Sequence, residues 1–206
     1  MSDRPDLSPL PAGDAEAWIA SARAAFNQLR EEFRTRFSRD LPLEEMLFDR
    51  WERAQSLGFG ARTSIHHNSY VYGDVTVGEN TWIGPFTLLD GSGGLKIGSA
   101  CSISAGVQIY THDTVKWALS GGVLPYERAP VVIGDACHVG AQAVITKGVT
   151  IGAHCVIGSC AFVNRDVPPY TIVFGVPCRR RGQVIIEADG TVRLEMDEPA
   201  AAGQGP

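Results

Sequence analysis

Basic residues are in the minority: 18 Lys and Arg face 23 Asp and Glu in 206 residues, a formal charge of −5. No global pull toward nucleic acid follows, although an acidic balance still permits a local basic pocket for a phosphorylated ligand. Histidine is scarce, with five in the chain. Cysteine also numbers five, an odd count with no CxxC pair. Neither a disulfide framework nor a cysteine zinc site is indicated, and reduced thiols in a cytoplasmic protein fit best. Met1 to Gly13 lacks the apolar core of a signal peptide. The longest uncharged apolar stretch, Gly148 to Asn164, contains polar side chains and repeats every six residues, which favours a soluble reading over a membrane span. An apolar share of 44% excludes a disordered chain. Glycine is in excess, at 23 residues, about 11% against a usual ~7%.

Residues 1–13 read as a flexible leader. From Asp14, a plausible N-cap, apolar residues at Trp18, Ile19, Ala22, Ala25, Phe26, Leu29, Phe33 and Phe37 recur at steps of three and four, the stripe of a helix that packs on the main domain or a neighbouring subunit. A second helical stretch is expected over Leu43 to Ser56, ended by Gly58.

The pattern changes at Ile65. Aliphatics fall at Ile65, Val71, Val77, Ile83 and Leu89. They resume at Ile97, Ile103 and Ile109, and again at Ile133, Val139, Ile145, Ile151, Ile157 and Val163. The spacing is six except at two breaks: two extra residues around GSGG, and a long loop between Ile109 and Ile133. Gly follows the aliphatic at 78, 84, 98, 134, 140, 152 and 158, and the fifth place of each hexad is small or β-branched. A helix cannot keep this repeat on one face, because six residues turn about 600° and displace each repeat by about 120°. A short strand plus a tight turn can. The hexads therefore specify a parallel β-helix with aliphatics stacked in ladders, a small residue near each corner, and Gly tolerating the backbone of the turn.

These hexads, with IYTHD, VVIGDACHVGAQAVITKGVTIG and NRDVPPYTIVFGVPCRR, resemble the left-handed β-helix hexapeptide-repeat acyltransferases, and within them the sugar and polysaccharide O-acetyltransferases. The likeness covers about residues 65 to 181 and implies three hexads per coil, so that Ile133 lies over Ile97, Val139 over Ile103 and Ile145 over Ile109, giving four to five coils. Left-handedness is what the resemblance implies; spacing alone does not give it, and parallel crossovers normally run right-handed. The expected organisation is a leader (1–13), an N-terminal helical segment (14–60), a β-helix domain (61–181) with loop 113–130, and a C-terminal hairpin with a disordered tail (182–206). The hairpin is VIIEADGTVRL, turning at Asp189-Gly190. The resemblance further implies a cytoplasmic homotrimer with acetyl-CoA as co-substrate in a cleft between adjacent β-helices, no required metal, a sugar or polysaccharide-precursor acceptor, and no nucleic acid. Membrane-associated glycan synthesis is one setting it allows.

His112, where the repeat breaks into the loop, matches the position of the family's catalytic histidine. A protonated sugar hydroxyl is a poor nucleophile, and imidazole suits its deprotonation. The Leu89 hexad lies below the Ile109 hexad, which brings Asp90 near Tyr110 and His112 as a carboxylate able to fix the tautomer; turn chemistry in LDGSGG competes for it. Asp113 and Glu127 are rival partners, and Asp113 also stands with the substrate-binding candidates. His138 departs from the family, which often has Trp there, and is a candidate for contact with substrate. Trp117 and Tyr126 in the loop offer aromatic faces to a carbohydrate. The resemblance places acetyl-CoA near backbone groups of Ala141 and Ser159, one able to hold an oxyanion. It places the CoA phosphates near Arg165, Arg179 and Arg180, with Arg181 extending the cluster and Lys147 a weaker candidate. Cys101, Cys137 and Cys155 share the fifth place of their hexads and read as structural.

Three functions compete. The first is O-acetyl transfer in a ternary complex, with amino-sugar N-acylation as a variant. The second is a zinc enzyme of the γ-carbonic anhydrase type, disfavoured because the His expected five residues after His112 is Trp117. The third is a non-catalytic β-helix scaffold.

Overall fold

The computed structural model describes residues 15–197. Asp14, the leader and the AAGQGP tail lie outside the described residues. By its contacts the chain forms two units, divided between Leu47 and Phe48.

The first unit holds α1 (Ala15–Phe37) and α2 (Leu43–Leu47). α1 ends where Ser38 takes a left-handed backbone and donates from its N–H to the Arg34 carbonyl. Asp40 then folds back onto the last turns of α1, pairing with Arg30 at 2.9 Å and with Arg34. No residue of α1 is buried; its apolar stripe at Trp18, Ile19, Ala22 and Phe26 meets Leu43 around an open cleft.

The second unit begins with α3 (Arg50–Ser56). The continuous helix expected over 43–56 is in fact two, because the Asp49 carboxylate accepts from the N–H groups of Trp51 (2.7 Å) and Glu52 (3.1 Å) and starts a new helix. α3 packs on the strand Ser64–Ile65, with Ala54 and Phe59 in the hydrophobic core of the β-helix. Arg53 donates to the carbonyls of His66 and Ser69. By these contacts α3 belongs with the β-helix, not with the 14–60 helical segment.

From Ser64 the chain winds as a left-handed parallel β-helix. Its first face stacks Ile65, Ile83, Ile103, Val139, Ile157 and Val173. The second stacks Val71, Leu89, Ile109, Ile145 and Val163. The third stacks Val77, Ile97, Ile133, Ile151 and Val167. The register is the one hexad arithmetic requires. These side chains fill the interior and are almost all buried; each is worth about 1.5–3 kcal/mol relative to exposure.

Glycine serves the corners differently from the sequence expectation. The left-handed residue is the third after each aliphatic, as at Ala100, Ala136, Gln142 and Cys160. The Gly directly after the aliphatic is not in that region. It is there because the next coil comes too close for a Cβ: one added at Gly140 would lie 2.5 Å from the Ser159 nitrogen, and one at Gly134 2.6 Å from the Ala153 nitrogen.

The corner after the third face carries a polar ladder. Thr63 Oγ1 donates to the Gly78 carbonyl at 2.7 Å and accepts from the Thr81 N–H at 3.0 Å. Thr81 Oγ1 repeats this with the Gly98 carbonyl and the Cys101 N–H, at 3.0 Å each. Thiols continue it: Cys101 to the Gly134 carbonyl (3.2 Å), Cys137 to that of Gly152 (3.1 Å), Cys155 to that of Pro168 (3.0 Å). At this corner the fifth-place residue is thus small because it must fit, and polar because it satisfies the next coil's backbone.

After Pro168-Pro169 the strand Thr171–Phe174 pairs parallel with Val156–Ile157 and antiparallel with Arg179–Ile186, which forms the hairpin with Val192–Met196. The turn falls at Asp189-Gly190, where Asp189 accepts from the Thr191 N–H at 2.9 Å and Gly190 has φ +85°.

Candidate active site

Three successive coils meet at the corner after the second face. The middle coil leaves the repeat there. Thr111 is buried, and His112–Asp113 pairs antiparallel with Glu127–Arg128 to form the stem of the loop. The chain re-enters at Ala129, whose N–H donates to the Thr111 carbonyl at 2.9 Å. The loop is ordered. It contains α4 (Val115–Leu119), and Ser120 Oγ donates to the Trp117 carbonyl and accepts from the N–H groups of Val123 and Leu124.

The coil below supplies Asp90. Leu89 pairs in register with Ile109, so Asp90 arrives under the loop entrance. Its Oδ2 lies 2.6 Å from His112 Nδ1 and accepts the Thr111 N–H at 2.8 Å; Oδ1 accepts the Ser92 N–H at 2.9 Å. The residue is only 1% exposed. Burial pushes its carboxyl up, but the hydrogen bonds from Ser92, Thr111 and His112 together outweigh it and hold Asp90 well below the usual carboxylate range. An ionised carboxylate only accepts, so His112 Nδ1 carries a proton and, in the neutral ring, Nε2 has the lone pair. The His112 side chain is 31% exposed, open to a reactant on that side. The GSGG excursion braces this arrangement: the Gly93 N–H donates to Thr111 Oγ1, which donates to the Asp90 carbonyl, each at 2.8 Å.

The rival carboxylates are engaged elsewhere. Asp113 and Glu127 accept from Lys147 at 2.9 and 3.2 Å, and Glu127 also pairs with Lys116. Lys147 first, then the Val115 N–H, lowers the Asp113 carboxyl; Lys116 and then Lys147 lower that of Glu127; Asp113 and then Glu127 raise the Lys147 ammonium. Tyr126 lies over the loop entrance, its ring centroid 6.3 Å from that of His112, and Trp117 meets Tyr126 edge-on at 5.5 Å. Both aromatics are partly exposed.

Of the other candidates, His138, Ala141, Ser159, Arg179 and Arg180 are not at this corner of the chain. His138 is exposed on the outside of the first face, between Ser102 and Val156. Ala141 and Ser159 lie one coil apart at the corner after the first face; the Cys160 N–H donates to the Ala141 carbonyl at 2.9 Å. Arg165 is exposed at the His112 corner, two coils further on. Arg179 donates to the Cys178 carbonyl at 3.1 Å, Arg180 pairs with Asp197 at 3.2 Å, and Arg181 lies over the Phe174 ring. Sequence reasoning missed the bridging role of Lys147. The one signal was a lysine one coil above Thr111, and it says nothing until the loop's path is known. Among the described residues no three His, Cys, Asp or Glu side chains assemble into a metal cage, and no helix is long and apolar enough to cross a membrane.

Residues 130–165 match the family model described as bacterial transferase hexapeptide, of six repeats. More particularly, the chain is similar to the galactoside O-acetyltransferase of Escherichia coli K12, 29% identical over 124 residues, 50% of this chain and 61% of that one. It is similar to a chloramphenicol acetyltransferase of E. coli, 35% identical over 120 residues, 50% of this chain and 57% of that one. Among solved structures, a hexapeptide-repeat acetyltransferase from Vibrio cholerae superposes with a TM-score of 0.50 and 26% identity, covering 82% of this chain and 94% of that one. The chain spans about three-fifths of the length of the two curated relatives.

Proposed function

We propose that the protein transfers an acetyl group from acetyl-CoA to a hydroxyl of a sugar or polysaccharide precursor, with His112 as general base. The observation that carries this reading is the buried Asp90 carboxylate 2.6 Å from His112 Nδ1, at the foot of an ordered loop that lays Tyr126 beside the imidazole. His112 Nε2 takes the hydroxyl proton as the oxygen attacks the thioester carbonyl. The tetrahedral intermediate collapses, its C–S bond breaks, and the proton passes from imidazolium to the departing CoA sulfur. Asp90 stabilises the imidazolium while it exists. No covalent enzyme intermediate is needed. The relatives' names join acetyl transfer to a galactoside in one case and to chloramphenicol in another, so the acceptor here is assigned to the loop, through Trp117, Tyr126 and Asp113, and not to the shared repeat.

His112 and the pair Ala141 and Ser159 occupy different corners of one chain. This favours a homotrimer in which the acetyl-CoA cleft lies between copies, His112 from one facing Ala141, Ser159 and His138 from the next. In this reading Arg165, Arg179 and Arg180 hold the CoA phosphates. Five cysteines without a disulfide suit a reducing cytoplasm.

The test is calorimetric titration with acetyl-CoA, followed by an acceptor screen that includes sugar hydroxyls and amino sugars, with His112→Ala as control. Saturable binding near one site per chain and His112-dependent acetyl ester formation are expected. Amide products would move the assignment to N-acylation. Absence of binding at millimolar acetyl-CoA would overturn the reading in favour of a scaffold.

A further inference from the structure

We propose that Lys147 is a positioning residue that clamps the aromatic arm of the loop over His112 and so sets the affinity for the acceptor; this rests on the acetyl-transfer reading above. Lys147 follows Ile145, which stacks directly over Ile109, so it stands one coil above the point where the chain departs. From there its ammonium reaches both sides of the stem: Asp113, next to His112 on the outgoing strand, and Glu127, next to Tyr126 on the returning one. The two carboxylates belong to directly paired residues. Without a cation between them they repel across the ladder.

Lys116 also meets Glu127, but it rides on α4 inside the loop and cannot tie the loop to the coil. Lys147 can, because its backbone belongs to the repeat. Its side chain is 25% exposed and has two carboxylate partners, which argues against service as a phosphate ligand. The same coil touches the loop again at its exit, where a Cβ on Gly148 would meet that of Ala129 at 3.4 Å. Asp90 from below thus orients the base, and Lys147 from above orients the arm that receives the acceptor.

The experiment compares wild type, Lys147→Met and Lys147→Arg by hydrogen exchange of residues 113–128 without substrate, and by steady-state kinetics with the best acceptor from the screen. Circular dichroism establishes that each variant is folded. In Lys147→Met, exchange of the stem amides rises and the acceptor KM increases about three- to tenfold, while kcat and the acetyl-CoA KM each change by less than about twofold. Lys147→Arg restores both readouts toward wild type. Unaltered loop exchange in Lys147→Met, or a rise in acetyl-CoA KM in place of acceptor KM, refutes the assignment. A wild type that binds no acetyl-CoA and turns over no acceptor refutes the acetyl-transfer reading instead, and the exchange data separate the two failures.

Discussion

Replacing Asp90 with Asn changes one atom and removes a charge, and the proposed mechanism says what must follow. Asp90 uses Oδ1 for the Ser92 N–H and Oδ2 for both the Thr111 N–H and His112 Nδ1. Asn has one acceptor oxygen. If its NH2 faces Ser92, one buried backbone donor is stranded and the charge that stabilises imidazolium is gone. If its NH2 faces His112, Nδ1 must accept, the ring proton moves to Nε2, and the base is lost. General-base assistance is worth about 10²–10⁴-fold, and the same substitution in a Ser-His-Asp triad costs about 10⁴ with geometry intact. We expect kcat to fall about 10³–10⁴-fold with the acetyl-CoA KM within about threefold of wild type. The stranded donor costs about 1–3 kcal/mol, a fall of about 2–12 °C in Tm for a chain of this size. Following the thioester by its ultraviolet absorbance avoids the exposed Cys160, which would consume a thiol reagent. A folded Asp90→Asn enzyme within tenfold of wild-type kcat would refute the argument. So would additive losses in the His112→Ala/Asp90→Asn double variant, because two residues acting as one unit do not add.

Other outcomes follow from the same coordinates. Because folding lowers the Asp90 carboxyl below its ordinary 3.8, its stabilising contribution is full above that value and is lost as pH falls below it. Urea midpoints for wild type should therefore drop from pH 5 to pH 3 by more than those of Asp90→Asn, and equal drops would contradict this. Gly140→Ala places a Cβ 2.5 Å from the Ser159 nitrogen and should cost about 1–3 kcal/mol in chemical denaturation; a neutral result would mean the coils can separate at that corner. Cys101, Cys137, Cys155 and Cys178 are buried and Cys160 is exposed, so a thiol reagent should label Cys160 rapidly in native protein and the other four only on unfolding. Cys137→Ser should be more stable than Cys137→Ala by urea titration, since Thr already fills the equivalent place at 63 and 81.

Much of the fold was legible because the repeat is rigid. Once Ile97, Ile103 and Ile109 are set under Ile133, Val139 and Ile145, the strand order follows, and with it the approach of Asp90 to His112. The glycine pattern was visible but its cause was not: contact between coils, unlike a turn conformation, leaves no local mark beyond the missing side chain. The break at Asp49 was hidden because an apolar period runs through it and only the cap reveals the restart. His138 shares a sheet with Ser102 and Val156, away from the corner of His112; reading it into the site depends on a second chain, which no spacing within one chain encodes. Lys147 was read as a weaker CoA-phosphate candidate, and its contacts with Asp113 and Glu127 escaped because an irregular loop has no period from which their positions can be calculated.

The Thr111–Ala129 hydrogen bond has a consequence for how a chain with the proposed activity could be diversified. The chain leaves and re-enters the repeat at neighbouring points, so the intervening stretch is a cassette plugged into a socket. Doubling the length of a flexible insert costs only about 0.6 kcal/mol in closure entropy. A foreign segment carrying its own recognition surface could be spliced between residues 114 and 126 while His112, Asp90 and the stem stay with the scaffold. New acceptors then become accessible by exchanging one surface segment, leaving the ladders that hold the molecule together untouched.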